Sequence, residues 1–297
     1  MLIIEGLKKR FGDKEVLCGL DMSVPRGSIY GFIGKNGAGK TTTMKAILGL
    51  MKVDGGSITV GGEKVVYGQT HTNKYIGYLP DVPEFYGFMT AREYLAFSAG
   101  VAEIDNENID FRIEELLSLV GLSDEKHRIK GYSRGMKQRL GIAQALLGDP
   151  LLLICDEPTS ALDPVGRKEI LDILLSLRGK TTVLFSTHIL SDVERICTDV
   201  AFLDGGVITM HGSPAEIKKK YRSDEYCIET ENSDHMELLL KEFSAMKPLG
   251  STEASFSLAD TDLFALMEFA GQHRITPVKL QRLEPSLEAL FLEVKEK

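Results

Sequence analysis

The chain has 297 residues, enough for one or two domains with a sizeable core. An apolar share of 43% is that of an ordinary globular chain, and a net charge of −8 with a pI near 5.4 speaks against a broad nucleic-acid-binding face. No apolar run approaches the roughly 20 residues of a membrane-spanning helix, the N-terminus lacks the basic-then-apolar layout of a secretory signal, and the four cysteines form no CxxC pair that would point to zinc.

In chain order, Leu2–Glu5 reads as a first strand. Ser28–Ile33 is an apolar run of strand length, and Thr41–Leu48 has helical periodicity. Between them lie Gly34, Lys35, Asn36, Gly37, Ala38, Gly39, Lys40 and Thr41, with Thr42 following. Strand, glycine loop and helix is the setting in which backbone amides cradle a nucleoside triphosphate. Lys40 is then the residue that reaches the β- and γ-phosphates, and the Thr41 hydroxyl a ligand for Mg²⁺. The loop itself leaves ATP and GTP both open.

Gly55-Gly56 and Gly61-Gly62 mark hairpin material, an antiparallel patch beside the main sheet. After Tyr78-Leu79-Pro80-Asp81 comes a loop to Met89 carrying Phe85, Tyr86 and Phe88, as much a docking surface as a set of ordinary buried aromatics. A helical stretch runs from Thr90 to about Leu122, and Leu140–Leu147 is helical after Tyr132-Ser133-Arg134-Gly135-Met136. Leu151–Cys155 is a strand ending in Asp156 and Glu157. Asp156 suits Mg²⁺ through its water shell, and Glu157 suits activation of a water for attack on the γ-phosphorus. Thr182–Ser186, Val200–Leu203 and Val207–Met210 are further strands, the last two joined by a turn at Asp204–Gly206. A basic stretch, Glu216–Tyr221, reads as a hinge. Beyond it the chain turns acidic on balance and carries no glycine motif. Strands at Tyr226–Glu229, Ala254–Leu258 and Ile275–Arg282, helices at Met236–Phe243 and Thr261–Ala270, and an amphipathic end at Ser286–Val294 make it a small α+β unit.

Taken together, the loop at 34–41, Ser133 to Gly135 and the Asp156-Glu157 pair resemble the ATP-binding subunit of an ABC transporter, over nearly all of the first 215 residues. The resemblance implies an α/β P-loop ATPase domain over 1–215, with an antiparallel β patch and a helical subdomain at about 88–145, followed by an accessory α+β domain at 216–297. It implies that Ser133 and Gly135 of one chain close over the γ-phosphate held by another, although Tyr132, Arg134 and Met136 depart from the common form. Read from the residues alone, Ser133 is a helix cap. The resemblance also makes Ser160–Asp163 the loop linking two nucleotide sites and His188 a switch residue beside the γ-phosphate. It places Phe11 where an aromatic stacks on adenine, a core phenylalanine being the alternative. Asp81 stands where similar subunits carry glutamine as a Mg²⁺ contact. It is one methylene shorter and adds a charge.

The implied activity is hydrolysis of ATP with Mg²⁺, driving a separate integral-membrane permease from the cytoplasmic face of the membrane. The implied partner is a second ATPase subunit, identical or different, with no nucleic acid expected. Tyr132–Arg139 together with Leu283–Glu288 resembles ATPases of ABC-2-type exporters. The alternative is a soluble ABC ATPase acting on a nucleic-acid or ribosomal partner. Against it stand the single P-loop, a helical insert too short for a long coiled coil, the absence of cysteine pairs and the acidic balance.

Overall fold

The computed structural model describes residues 1–104, 108–220, 224–283, 287 and 290. The chain divides into two compact units, Met1–Pro214 and Ala215–Lys297.

The first unit opens with β1 (Leu2–Phe11) and β2 (Lys14–Val24), a hairpin whose alternating burial puts Leu2, Ile4, Leu7, Leu17 and Leu20 on one face. β3 (Ile29–Ile33) is buried at every position and runs into the glycine loop, after which α1 (Lys40–Ile47) begins. β4 (Gly55–Val60) and the short β5 (Glu63–Lys64) complete an antiparallel sheet in the order β2-β1-β4-β5. Its apolar face shares one core with Phe32 of β3 and Met44 and Ile47 of α1. Burying Met44 and Ile47 completely stabilises the unit by about 1.5–3 kcal/mol each.

β6 (Ile76–Leu79), α2 (Ala91–Val101), α3 (Ile109–Leu119) and α4 (Arg134–Ala145) follow. The helical stretch expected from Thr90 to Leu122 is therefore two helices. A Thr90–Glu93 capping box starts the first, in which Thr90 Oγ1 accepts from Glu93 N and Glu93 Oε2 from Thr90 N. β7 (Leu152–Asp156), α5 (Pro164–Ser176), β8 (Thr182–Thr187), α6 (Leu190–Ile196), β9 (Asp199–Asp204) and β10 (Val207–Gly212) finish the unit. The main sheet has the order β10-β9-β3-β8-β7-β6, parallel except for β10, which is antiparallel to β9. Such strands are covered on both faces and read as apolar runs. The consequence for the site is positional: the C-terminal ends of β3, β8, β7 and β6 lie side by side on one edge.

A short helix, α7 (Pro214–Lys220), spans the boundary where the basic hinge was expected. The second unit contains β11 (Glu225–Thr230), α8 (Ser233–Glu242), β12 (Lys247–Pro248), β13 (Glu253–Ser257), α9 (Leu263–Gln272) and β14 (Pro277–Arg282). Sheet order β12-β13-β11-β14, antiparallel throughout, makes this a βαββαβ arrangement of the ferredoxin-like kind. Ile228, Ala254 and Phe256 of the sheet pack with Met236, Leu239, Leu266 and Ala270 of the helices. The tail motif at 283–288 and the amphipathic end at 286–294 lie almost entirely outside the described residues.

Candidate functional site

The sheet edge gathers the chemistry. After β3, the loop turns with Gly37 at φ 81° and Gly39 at φ 114°, left-handed conformations that suit glycine. At Gly39 a Cβ would also approach Leu17 Cδ2 to 2.9 Å, so the loop is held against β2 at that point. Lys35, Asn36 and Gly37 are exposed, Ala38 and Thr42 half-buried, and Gly34 and Lys40 buried. The Lys40 ammonium donates to Gly34 O at 2.6 Å and lies 3.1 Å from Glu157 Oε1.

β7 delivers the two carboxylates. Asp156 is almost fully buried, and each of its oxygens accepts a hydroxyl: Thr41 Oγ1 donates at 2.8 Å and Ser186 Oγ at 2.6 Å. Glu157 follows in a left-handed conformation at φ 49°, which a non-glycine residue adopts at a cost of order 1–3 kcal/mol. Its amide donates to Ser186 Oγ at 3.0 Å and to Ser186 O at 3.2 Å. The turn aims its side chain back over the loop, where Oε2 meets His188 Nδ1 at 2.9 Å. A carboxylate oxygen accepts in such a contact, which makes Nδ1 the donor. Ser186 is thus shared between both carboxylate residues. It stands on β8 opposite Asp156, a register that the residue string alone does not disclose.

Behind this row, Asp192 accepts from Thr159 Oγ1 at 2.8 Å and from Arg167 Nε at 2.6 Å. Through Thr159 the buried Asp192 carboxylate anchors the segment after Glu157, and the part-exposed Arg167 guanidinium balances its charge. Asp163 then caps α5 through Gly166 N at 2.8 Å, with Pro164 in its first turn.

Four expected residues lie outside this hydrogen-bonded cluster. Ser133 caps α4, accepting from Met136 N at 3.2 Å, as its cap reading required. With Gly135 it lines a cavity of about 250 Å³ shared with Ala161, Asp163 and Gly166, and no residue of the phosphate loop lines that cavity. Phe11 is 49% exposed at the end of β1, which removes the core reading of this aromatic. Lys9 Nζ sits 5.2 Å from its ring centroid. Asp81 follows β6 on the same sheet edge, but its carboxylate is 3.4 Å from the Arg134 guanidinium. Burial pushes the Asp81 carboxyl up from its usual range, the charges of Asp156 and Glu157 add to this, and Arg134 opposes it.

The donor set fits a magnesium nucleotide. The Thr41 hydroxyl and Asp156 carboxylate are hard oxygens of the kind Mg²⁺ takes, and the glycine turn leaves room for phosphate at the N-terminus of α1.

The family model described as ABC transporter matches residues 17–160, from β2 to the segment after Glu157. An uncharacterized ABC transporter ATP-binding protein of Bacillus subtilis, YxlF, is 37% identical over 299 residues, covering 99% of both chains. The chain belongs to the ABC transporter ATP-binding proteins. The bacitracin transport ATP-binding protein BcrA of Bacillus licheniformis is 41% identical over 219 residues, 73% of this chain and 71% of BcrA. A solved structure described as the ATP binding subunit of an ABC transporter superposes with a TM-score of 0.66 at 31% identity, over 74% of this chain and 93% of that one. As an ABC ATP-binding protein the chain binds ATP and is an ATPase whose hydrolysis is coupled to transport. Among the described residues no helix is long and apolar enough to cross a membrane.

Proposed function

We propose that this chain is the ATPase of an ABC-2-type exporter, working as a pair of ATPase chains on a separate integral-membrane permease at the cytoplasmic face. The observation that carries the two-chain reading is the separation within one chain of the Ser133–Gly135 cavity from the phosphate loop. Each half lacks what the other holds, and head-to-tail pairing would bring the loop of one chain to α4 of the next. Export is supported by relatives named for bacitracin transport and linearmycin resistance, the latter 32% identical over 99% of this chain.

In this reading Gly34–Thr42 hold the triphosphate, Phe11 stacks on adenine, and Lys40 leaves Glu157 for the β- and γ-phosphates. Bound Mg²⁺, held by Thr41 and Asp156, supplies charge neutralisation on the phosphates. Glu157 accepts the proton of the attacking water, and His188 orients Glu157 through the Nδ1 contact. Ser133 and Gly135 present a hydroxyl and an amide at a helix N-terminus to the γ-phosphate of the second chain. Phe88 and Tyr86, both more than half exposed, belong to the face offered to the permease. The unit from 216 onward is accessory to this motor.

The test is purification of the tagged full chain from its native membranes. An integral-membrane permease in stoichiometric amount is the expected companion. Recovery with ribosomes or DNA and no permease would overturn the transporter assignment in favour of the soluble alternative.

A further inference from the structure

Arg134 borders two cavities. One, of about 360 Å³, is formed with Asp81, Val82, Pro83 and Lys137. The other, of about 250 Å³, is the one that holds Ser133 and Gly135. The second cation of the latter cavity, Arg139, is tied down: it donates to Val120 O at 3.0 Å and Gly121 O at 3.3 Å, and faces Glu169 at 3.6 Å. Arg134 is held more loosely. Its guanidinium meets Asp81 at 3.4 Å, and both side chains are close to half exposed.

One turn further along α4, the fully buried Gln138 donates to Asp81 O at 2.7 Å. The backbone at residue 81 is therefore fastened to α4 independently of Arg134. The guanidinium can leave the Asp81 carboxylate by side-chain rotation, with the loop in place.

We propose that Arg134 is a phosphate-binding residue of the two-chain site, held in reserve by Asp81 until a second chain brings its triphosphate to Ser133 and Gly135. This rests on the head-to-tail reading above. An exposed ion pair of this kind is weak and screened by salt. A guanidinium engaging phosphate oxygens in two parallel hydrogen bonds is stronger, so the exchange runs toward the nucleotide. It leaves the Asp81 carboxylate without its cation on the same edge as Asp156 and Glu157, where a divalent cation held by Thr41 and Asp156 would offset the like charge. Arg134, one of the departures from the common form beside Ser133, and Asp81, at the position where similar subunits carry glutamine, thus act as one pair.

The test uses the full chain in a Glu157→Gln background, with Mg²⁺ saturating, and reads the ATP concentration at which half the protein is dimeric by light scattering. Asp81→Asn frees Arg134 and is expected to lower that concentration. With one weak pair per chain and two chains, the dimerisation constant changes roughly 2- to 30-fold, and because each dimer takes up two ATP the half-point shifts by the square root of that, roughly 1.4- to 5-fold. Arg134→Ala raises it, and Asp81→Asn added to Arg134→Ala then changes nothing further. The charge swap Asp81→Arg with Arg134→Asp restores the pair yet turns a carboxylate toward the phosphate, so its dimer is lost. An Asp81→Asn shift of the same size with and without Arg134 overturns the exchange and leaves the dimer standing. A Glu157→Gln chain that never dimerises with ATP removes the two-chain site and the exchange with it.

Discussion

Ser186→Ala is the substitution that bears most directly on how the carboxylate edge is held. The hydroxyl is fully buried and donates to Asp156 at 2.6 Å, while Glu157 N donates to it at 3.0 Å. Glu157 N keeps Ser186 O at 3.2 Å in the variant, so that part of the loss is small. The hydrogen bond to the charged Asp156 is not replaced, because the methyl of alanine has nothing to donate. Its loss is expected to cost about 1.5–3 kcal/mol. For a unit of the size of Met1–Pro214, where 1 kcal/mol moves the midpoint by about 2–4 °C, this is a fall of about 3–12 °C. A chain of two units need not unfold in one step, so the reading must be local. Cys155 is fully buried beside Asp156, its thiol pushed well up by that burial, and thiol labelling resolved by peptide mass reports when β7 opens. The same substitution removes the hydroxyl that orients Asp156, the proposed Mg²⁺ ligand, and is expected to weaken Mg²⁺ affinity about 10- to 100-fold. A β7 opening midpoint within about 1 °C of the parent, together with unchanged Mg²⁺ dependence, would refute the view that Ser186 positions Asp156.

Three further substitutions test the site and the packing. Glu157→Gln keeps the shape and removes the proton acceptor, so steady-state hydrolysis is expected to drop roughly 10²- to 10⁴-fold while nucleotide affinity persists. Near-parental turnover would show that Glu157 is not the base. Gly77→Ala would put a methyl 2.0 Å from the carbonyl oxygen of Ala145, a backbone atom that cannot step aside without moving the end of α4. The expected loss lies at the upper end of about 1–3 kcal/mol in chemical denaturation. Gly100→Ala, inside α2 with nothing within 4 Å, is expected to gain about 0.5–1 kcal/mol in the same assay, and equal effects of the two would contradict the packing argument.

Where local chemistry dictates structure, the residue string was readable. The apolar runs of β3, β7 and β8 were visible because parallel strands covered on both faces carry no alternation to confuse. The phosphate loop was visible because only glycines suit its turn. β2 is not legible in the residue string: Gly19 at φ 100° and the register shifts along β1 break the alternation on which a strand is recognised. The expected hairpin at Gly55–Gly62 was found as part of a larger four-stranded sheet, since strand partners far apart in sequence leave no local mark. The start of α5 carries a local signal of its own, Asp163 as cap before Pro164.

By itself the sequence determined the ligand class, the order of the motifs and the two-part organisation, because these rest on residue types at short spacing. Pairings across distance were decided by the tertiary structure alone. Strand register set Ser186 against Asp156, a left-handed turn brought Glu157 to His188 and Lys40, and the end of β6 placed Asp81 beside Arg134, 53 residues away. Hydrogen bonds and ion pairs depend on ångström-scale geometry, and that geometry exists only once the sheet has assembled its strand ends along one edge.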